Sequence, residues 1–284
     1  MDKTIVTEFD QNSNDNFRCG FAAIVGRPNV GKSTLMNRIL GQKISITSRR
    51  PQTTRHRIHG IDTTADCQVI YVDTPGLHKP VGKAMNRYLN QAATTALQDV
   101  DVVLFVVAGT KWTDEDELVL ERVKGGSAPV ILVVNQIDRL QPEQLLPHLA
   151  QVSQRMAFHS VIPLSAKSGE SVELLEVEVA KLMPHGPAQF PEDQVTDRSM
   201  RFLAAEIVRE KLTRQLGQEL PYEMTVEIES YEISAGIVNI AALIWVERDG
   251  QKAIVIGKAG QGLKKVGPVE PLALPSSILA LLYQ

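Results

Sequence analysis

The stretch "GRPNVGKST", residues 26–34, sets two glycines, a lysine and a serine at the spacing G-x-x-x-x-G-K-[ST]. Those residue types at that spacing handle phosphate. Glycine lets the loop Gly26, Arg27, Pro28, Asn29, Val30, Gly31 curl close to phosphate oxygens with its N–H groups turned inward as donors. Lys32 neutralises charge on β- and γ-phosphates, and Ser33 supplies a hydroxyl to Mg2+. Ser33 and Thr34 enter a helix whose N-terminus adds a positive field. A nucleotide is the expected ligand, but this loop alone does not choose between ATP and GTP.

Two later segments make that choice. In "NQID" (Asn135, Gln136, Ile137, Asp138), an aspartate at a strand end can accept from both N1–H and the exocyclic amine of guanine, a pair that adenine does not offer. In "SAK" (Ser165, Ala166, Lys167), a backbone amide can reach guanine O6. A further segment, "DTPG" (Asp73, Thr74, Pro75, Gly76), serves the phosphate end. Its Asp73 can hold Mg2+ through water, and the Gly76 amide can meet a γ-phosphate. Each short motif is weak alone. In this order, each at a strand end, they form a guanine-nucleotide site with GTP/GDP and Mg2+ as cofactors.

The elements that position them follow from hydrophobic periodicity. Short apolar runs at 21–25, 68–73, 102–107, 130–135 and 160–165 read as strands, and helical patterns near 32–41, 82–97, 114–124, 142–156 and 169–183 follow them. Such alternation predicts an α/β domain, a mostly parallel sheet with helices on both faces. A further strand near 55–62 and the one at 68–73 form an antiparallel hairpin at the sheet edge. Ligands of such sheets bind at the C-terminal strand ends, where all four motifs fall. Residues 183–197, with prolines and polar residues, read as a linker. Beyond them the order becomes helix (199–216), two alternating strands, a second glycine loop and a helix start. The expected division is a polar tail over 1–18, a first domain over 19–183, a linker over 184–198, a second domain over 199–267 and an atypical end over 268–284.

The stretch "GRPNVGKSTLMNRILGQKISITSRRPQTTRHRIHGI" resembles the Era family within the TrmE–Era–EngA group of GTPases. The resemblance runs from about residue 20 to 266. It implies a G domain followed by a KH-type (type II) α+β RNA-binding domain. It also implies that Thr54, in the segment between the phosphate loop and DTPG, closes over Mg2+ in the GTP state, with adjacent Thr53 as the alternative. Lys32, Thr54 and Gly76 then carry catalysis, and Ser33, Thr54 and Asp73 the metal. Two departures stand out. The family's guanine motif has lysine where this chain has Gln136, so GTP specificity rests on Asp138 with somewhat weaker affinity. Leu77 follows DTPG where Ras-like enzymes place a water-orienting glutamine, which predicts slow intrinsic hydrolysis. His78 reads as a solvated loop histidine.

The second loop, "GKAG" (Gly257, Lys258, Ala259, Gly260), lacks the Lys-Ser/Thr pair of a nucleotide loop. It fits G-x-x-G, the turn on which a KH domain sets the sugar-phosphate backbone of single-stranded nucleic acid. Lys258, Lys264 and Lys265 make a local basic patch, and Ile254, Ile256, Leu263 and Val266 form the expected floor for bases. Taken alone, GKAG also describes an ordinary connector between helices with solvated lysines. After it the family pattern stops: residues 268–284 have no lysine or arginine and carry Pro268, Pro271 and Pro275, a segment read as altered or truncated.

Composition fits this picture. The chain has 284 residues, 43% hydrophobic and 22% charged, enough for a core, and a net charge of −3 confines any polyanion contact to a local patch. Two cysteines at no metal-like spacing suit a reducing compartment, and no apolar leader is read in the first residues. The resemblance implies a cytoplasmic monomer that binds the 3′ end of 16S rRNA and serves 30S subunit maturation. Family members also associate peripherally with the inner membrane. The alternatives are a membrane-surface GTPase and a tRNA-modification GTPase, the latter needing a C-terminal cysteine motif that this chain lacks.

Overall fold

A computed structural model describes residues 16–48, 54–74, 97, 99–109, 111–216, 224–234 and 237–266. Thr53, Pro75, Gly76, Leu77, His78, the helix expected over 82–97 and the segment 268–284 lie outside the described residues.

The first module follows the expected rhythm. Strands β1 (Arg18–Val25), β2 (Ile58–Thr63), β3 (Cys67–Asp73), β4 (Val102–Ala108), β5 (Val130–Asn135) and β6 (Ser160–Pro163) form one sheet in the order β2-β3-β1-β4-β5-β6. All neighbours are parallel except β2–β3, the antiparallel edge pair. Every residue of "VVLFVVA" and "VILVVN" is buried, as parallel strands covered on both faces require. Alternate residues feed two cores. Ile24, Leu104, Val106 and Val133 face α1 (Lys32–Ile39) and α4 (Val172–Leu182). Val25, Phe105, Val107 and Leu132 face α2 (Asp114–Val123) and α3 (Pro142–Ser153). Helix α2 is started by a capping box, with the Thr113 side chain accepting from the Asp116 amide, and by four acidic residues in its first turn.

The proline-rich segment after α4 is fastened along the edge of this sheet. Buried Gln68 accepts from the amides of Gln189 (2.8 Å) and Phe190 (3.0 Å) and donates to the Phe190 carbonyl (2.9 Å). The Ile61 amide donates to Val195 O, and the Thr196 hydroxyl to His59 O.

The second module opens with α5 (Met200–Gln215), capped by Ser199, which accepts from the Phe202 amide. An antiparallel pair follows, β7 (Met224–Ser234) and β8 (Ile237–Val246), with an irregularity between Ile228 and Ser230. The sequence order lacked a helix before the glycine loop. The structure has one, α6 (Asp249–Ile256), then a short turn over 258–260 and α7 (Gln261–Val266). The Gln251 side chain caps α6 by accepting from the Arg248 amide at 3.0 Å, and buried Val255 anchors it. The core is small: Leu212, Leu216, Met224, Val226, Val255 and Val266. Val266 is therefore a core residue and not part of the floor expected for bases. Ile254, Ile256 and Leu263 are exposed.

The modules meet through polar contacts. Buried Glu210 of α5 accepts from the amide and hydroxyl of Thr47 (both 3.2 Å) and pairs with Lys43 (2.5 Å). Arg55 donates to Met224 O at 2.9 Å, and the rings of His56 and Phe202 meet edge to face.

Candidate functional site

Four loops converge at the C-terminal ends of β1, β3, β5 and β6. In the first, Gly31 has φ 99°, a left-handed value that favours glycine, and a Cβ there would lie 2.3 Å from Asn135 Nδ2. The loop therefore presses against the base-side motif with no room for a side chain. Val30 is buried beneath it, and Asn29 is itself left-handed (φ 62°). Lys32 bends back over the loop and donates to the carbonyls of Gly26 and Arg27, both at 2.9 Å. Burial pushes its ammonium down to about 8, with the Asp73 carboxylate acting in the opposite sense. Arg27 is drawn aside by buried Asp116, Nε to Oδ2 at 3.0 Å.

Beside Lys32 the expected metal residues come together from three elements. Ser33 Oγ lies 3.0 Å from Thr54 Oγ1 and donates to Asp73 Oδ2 at 2.8 Å. Sequence alone left Thr53 and Thr54 open; Thr54 is buried and reaches this cluster, and Thr53 lies outside the described residues. Ser45, which no motif flagged, also donates to Asp73 Oδ2, at 2.7 Å. The other oxygen, Asp73 Oδ1, is buried with no hydrogen-bond partner among the described residues. Burial raises the Asp73 carboxyl above its usual range, while Lys32 and the hydroxyls of Ser45, Ser33 and Thr54 act the other way. Thr74 turns inward and donates to Ile24 O at 2.8 Å.

On the base side, Asn135 ties the loops together. Its amide donates to Val30 O (2.8 Å), and its carbonyl oxygen accepts from the amides of Gln136 (2.7 Å) and Ala166 (3.0 Å). Gln136 Nε2 reaches Asn29 O at 3.1 Å, so the amide that replaces the family's lysine makes its own bridge to the phosphate loop. Ser165 Oγ donates to Asp138 Oδ1 at 2.8 Å and fixes that carboxylate. Ile137 sits in the turn below, its amide directed at Leu164 O. Lys167 is exposed at the rim.

The second glycine loop is a different object. Gly257 (φ 71°) ends α6, its amide donating to Ala253 O at 2.9 Å, and Gly260 (φ 74°) closes the turn onto Gly257 O at 3.1 Å. A Cβ on Gly257 would meet Gly262 N at 2.9 Å, so α6 and α7 touch backbone to backbone at this turn. Lys258, Ala259, Lys264 and Lys265 are all exposed.

The family model described as 50S ribosome-binding GTPase matches residues 21–136, and the KH domain model matches residues 219–268. GTPase Era of Pseudomonas putida F1 is 58% identical over 251 residues, spanning 88% of this chain and 84% of the relative.

The chain belongs to the Era family of GTPases.

GTPase Era of Pseudomonas aeruginosa PAO1 is 57% identical over 88% of this chain and 82% of its own length. Two solved Era structures share the fold. An Aquifex aeolicus variant bound to GDP and tetrafluoroaluminate superposes with TM-score 0.84 at 36% identity, over 88% of this chain and 86% of its own. Era in complex with MgGDPNP and nucleotides 1506–1542 of 16S ribosomal RNA gives TM-score 0.85 at 35% identity, over 94% and 90%. The Era-family architecture, a GTPase domain followed by a KH domain, is thus the architecture of this chain. The residues that sequence reading missed are those whose partners lie far away in sequence. Ser45, Asp116 and Arg38 carry no local signature, and only the folded loops show what they hold.

Proposed function

We propose that this chain is a GTP-hydrolysing switch that binds the 3′ end region of 16S rRNA through its KH domain and assists maturation of the 30S subunit. The observation that carries the reading is the convergence of Ser33, Thr54 and Asp73 beside buried Lys32. Three elements bring oxygens to one point, and one buried carboxylate oxygen there lacks a partner among the described residues. That donor set, all oxygen with one carboxylate, suits Mg2+. Ser33 and Thr54 would supply hydroxyls to the ion, and Asp73 would hold it through water. When bound, Mg2+ offsets charge on the phosphate oxygens.

Every other role falls to the chain. The amides of residues 26–34 and the Lys32 ammonium hold the phosphates. Asp138, aligned by Ser165, accepts from the guanine edge, and a backbone amide of the 165–167 segment meets O6. Gly76 completes the γ-phosphate contact, and Leu77 leaves the attacking water without a side-chain partner, which keeps hydrolysis slow. The GKAG loop, with Lys264 and Lys265, receives the RNA backbone. The solved Era complex with nucleotides 1506–1542 of 16S rRNA supports that RNA as the partner. We place the G domain at 19–183, the linker at 184–198 and the KH domain at 199–267. The protein acts as a cytoplasmic monomer with peripheral contact to the inner membrane; among the described residues no helix is long and apolar enough to cross a membrane.

Crosslinking of the full chain to ribosomal RNA, with GDP and with a non-hydrolysable GTP analogue, tests the reading. Crosslinks at the 3′ end of 16S rRNA that depend on the nucleotide are expected. Crosslinks spread over the rRNA and indifferent to nucleotide would remove it.

A further inference from the structure

Arg38 belongs to none of the nucleotide motifs, yet from the helix that carries Lys32 and Ser33 its guanidinium grips the 165–167 segment. It lies in the last turn of α1, the helix that starts at Lys32. Its Nε donates to Ala166 O at 3.1 Å, and its Nη2 donates to Lys167 O. The turn it grips is already tightly determined. The Gly169 amide closes onto Ser165 O at 2.8 Å, the Ser168 amide onto Ser165 Oγ at 3.2 Å, and the Ala166 amide onto Asn135 Oδ1 at 3.0 Å. Ala166 is thus held at both ends of its backbone, its N–H by Asn135 and its carbonyl by Arg38. A Cβ built on Gly169 would rest 3.8 Å from the guanidinium carbon, so the arginine lies flat against the turn.

We propose that Arg38 is a positioning residue for base recognition: by holding the Ala166 carbonyl it sets the Lys167 amide of the same peptide, which meets the 6-oxygen of guanine. This rests on the reading of residues 165–167 as the base loop. The physical reason is geometric. A planar guanidinium presents two N–H donors in a fixed fork, so two carbonyls held by it fix the orientation of the peptides between them. The fork is carried by the same helix that carries Lys32 and Ser33. The phosphate end and the base end of the nucleotide are thereby registered against one rigid rod. Asn135 to Val30 and Gln136 to Asn29 are the other two bridges between those ends, and Arg38 is the one that acts on the 166–167 backbone from below. Base contacts are present in ground state and transition state alike, so loosening them raises KM and leaves kcat.

The test is titration of the full chain with GDP and with 6-thio-GDP, in which sulfur replaces the 6-oxygen and accepts an N–H poorly. The parent is expected to prefer GDP. Arg38→Ala should weaken GDP by about fivefold, a fraction of a charge-assisted hydrogen-bond pair, and should weaken 6-thio-GDP less, so the preference shrinks. Arg38→Lys, reaching one carbonyl, should recover part of it. GTP turnover by Arg38→Ala should show a raised KM at unchanged kcat. Equal weakening of both nucleotides, or no weakening, overturns the role of Arg38. A parent that does not distinguish the two nucleotides overturns the base-loop reading itself.

Discussion

The two glycine loops sit on opposite kinds of scaffold. The loop at 26–34 rises from a six-stranded sheet whose central strands are buried on both faces, and its lysine is buried with it. The loop at 257–260 hangs between two short helices beside a two-stranded sheet, and its lysine is exposed. Strand β8 alternates exposed and half-buried residues along its whole length. The difference teaches what each loop can hold. A small ligand that must be enclosed, with charge stabilised in a dry setting, needs amides and an ammonium fixed by a large core. A polymer backbone that must slide into place needs close approach at the surface and mobile charges.

The widest contrast is in stability. Phe105 is fully buried in β4 and packs edge to face on Trp112, so Phe105→Ala should cost about 3–5 kcal/mol in denaturant titration of the first module. A loss below about 1 kcal/mol would show that this sheet is not the rigid scaffold described. The next effect is on chemistry. Lys32→Ala removes the buried ammonium at the phosphates and should lower GTP binding or turnover on the order of 100-fold, with RNA affinity of the nucleotide-free protein unchanged. Parent-like turnover would remove Lys32 from that role.

The reciprocal change is smaller. Lys258→Asp together with Ala259→Asp should weaken a single-stranded RNA about tenfold and make the log–log salt slope shallower by about one, leaving GDP affinity alone. If affinity and slope both match the parent, the loop is a plain helix connector. On the exposed face of β8, Trp245 is 56% exposed, and Trp245→Ala should move stability by no more than about 0.5 kcal/mol. A larger loss would mean that this face is covered in solution.

The smallest expected effect is carried by the proton on Lys32. Lys32 is a base whose folded value is depressed to about 8, whereas free lysine titrates near 10.5. Between those values the unfolded chain binds more protons than the folded one, so stability of the nucleotide-free protein rises with pH across that window. Phosphate favours the charged form. GDP binding near pH 8.5 should therefore take up a fraction of a proton, seen as a buffer-dependent heat in calorimetry, and the uptake should vanish near pH 6.5. Equal heats in buffers of different ionisation enthalpy at pH 8.5 would contradict the buried, shifted Lys32.

The sequence by itself determined the parallel sheet and its C-terminal motifs, because buried strands write themselves as unbroken apolar runs such as "VVLFVVA" and phosphate loops demand glycine at fixed spacing. It determined the antiparallel edge pair for the same reason, since the polar turn between β2 and β3 is too short for a crossover. It did not separate Thr53 from Thr54, because adjacent threonines carry the same local signature; the folded chain shows Thr54 against Ser33. It missed the helix before GKAG: "DGQKAIVI" is as apolar as a strand, and only the capping by Gln251 and the anchoring of Val255 decide it. It placed Val266 among the exposed floor residues, where tertiary packing turns it inward. Ser45 on Asp73, Glu210 on Thr47 and Arg38 on the 166–167 carbonyls were also decided by the tertiary structure alone. A hydrogen bond between residues 28 positions apart, as for Ser45 and Asp73, or more than a hundred, as for the other two, leaves no local periodicity, so its partners become visible only in the folded chain.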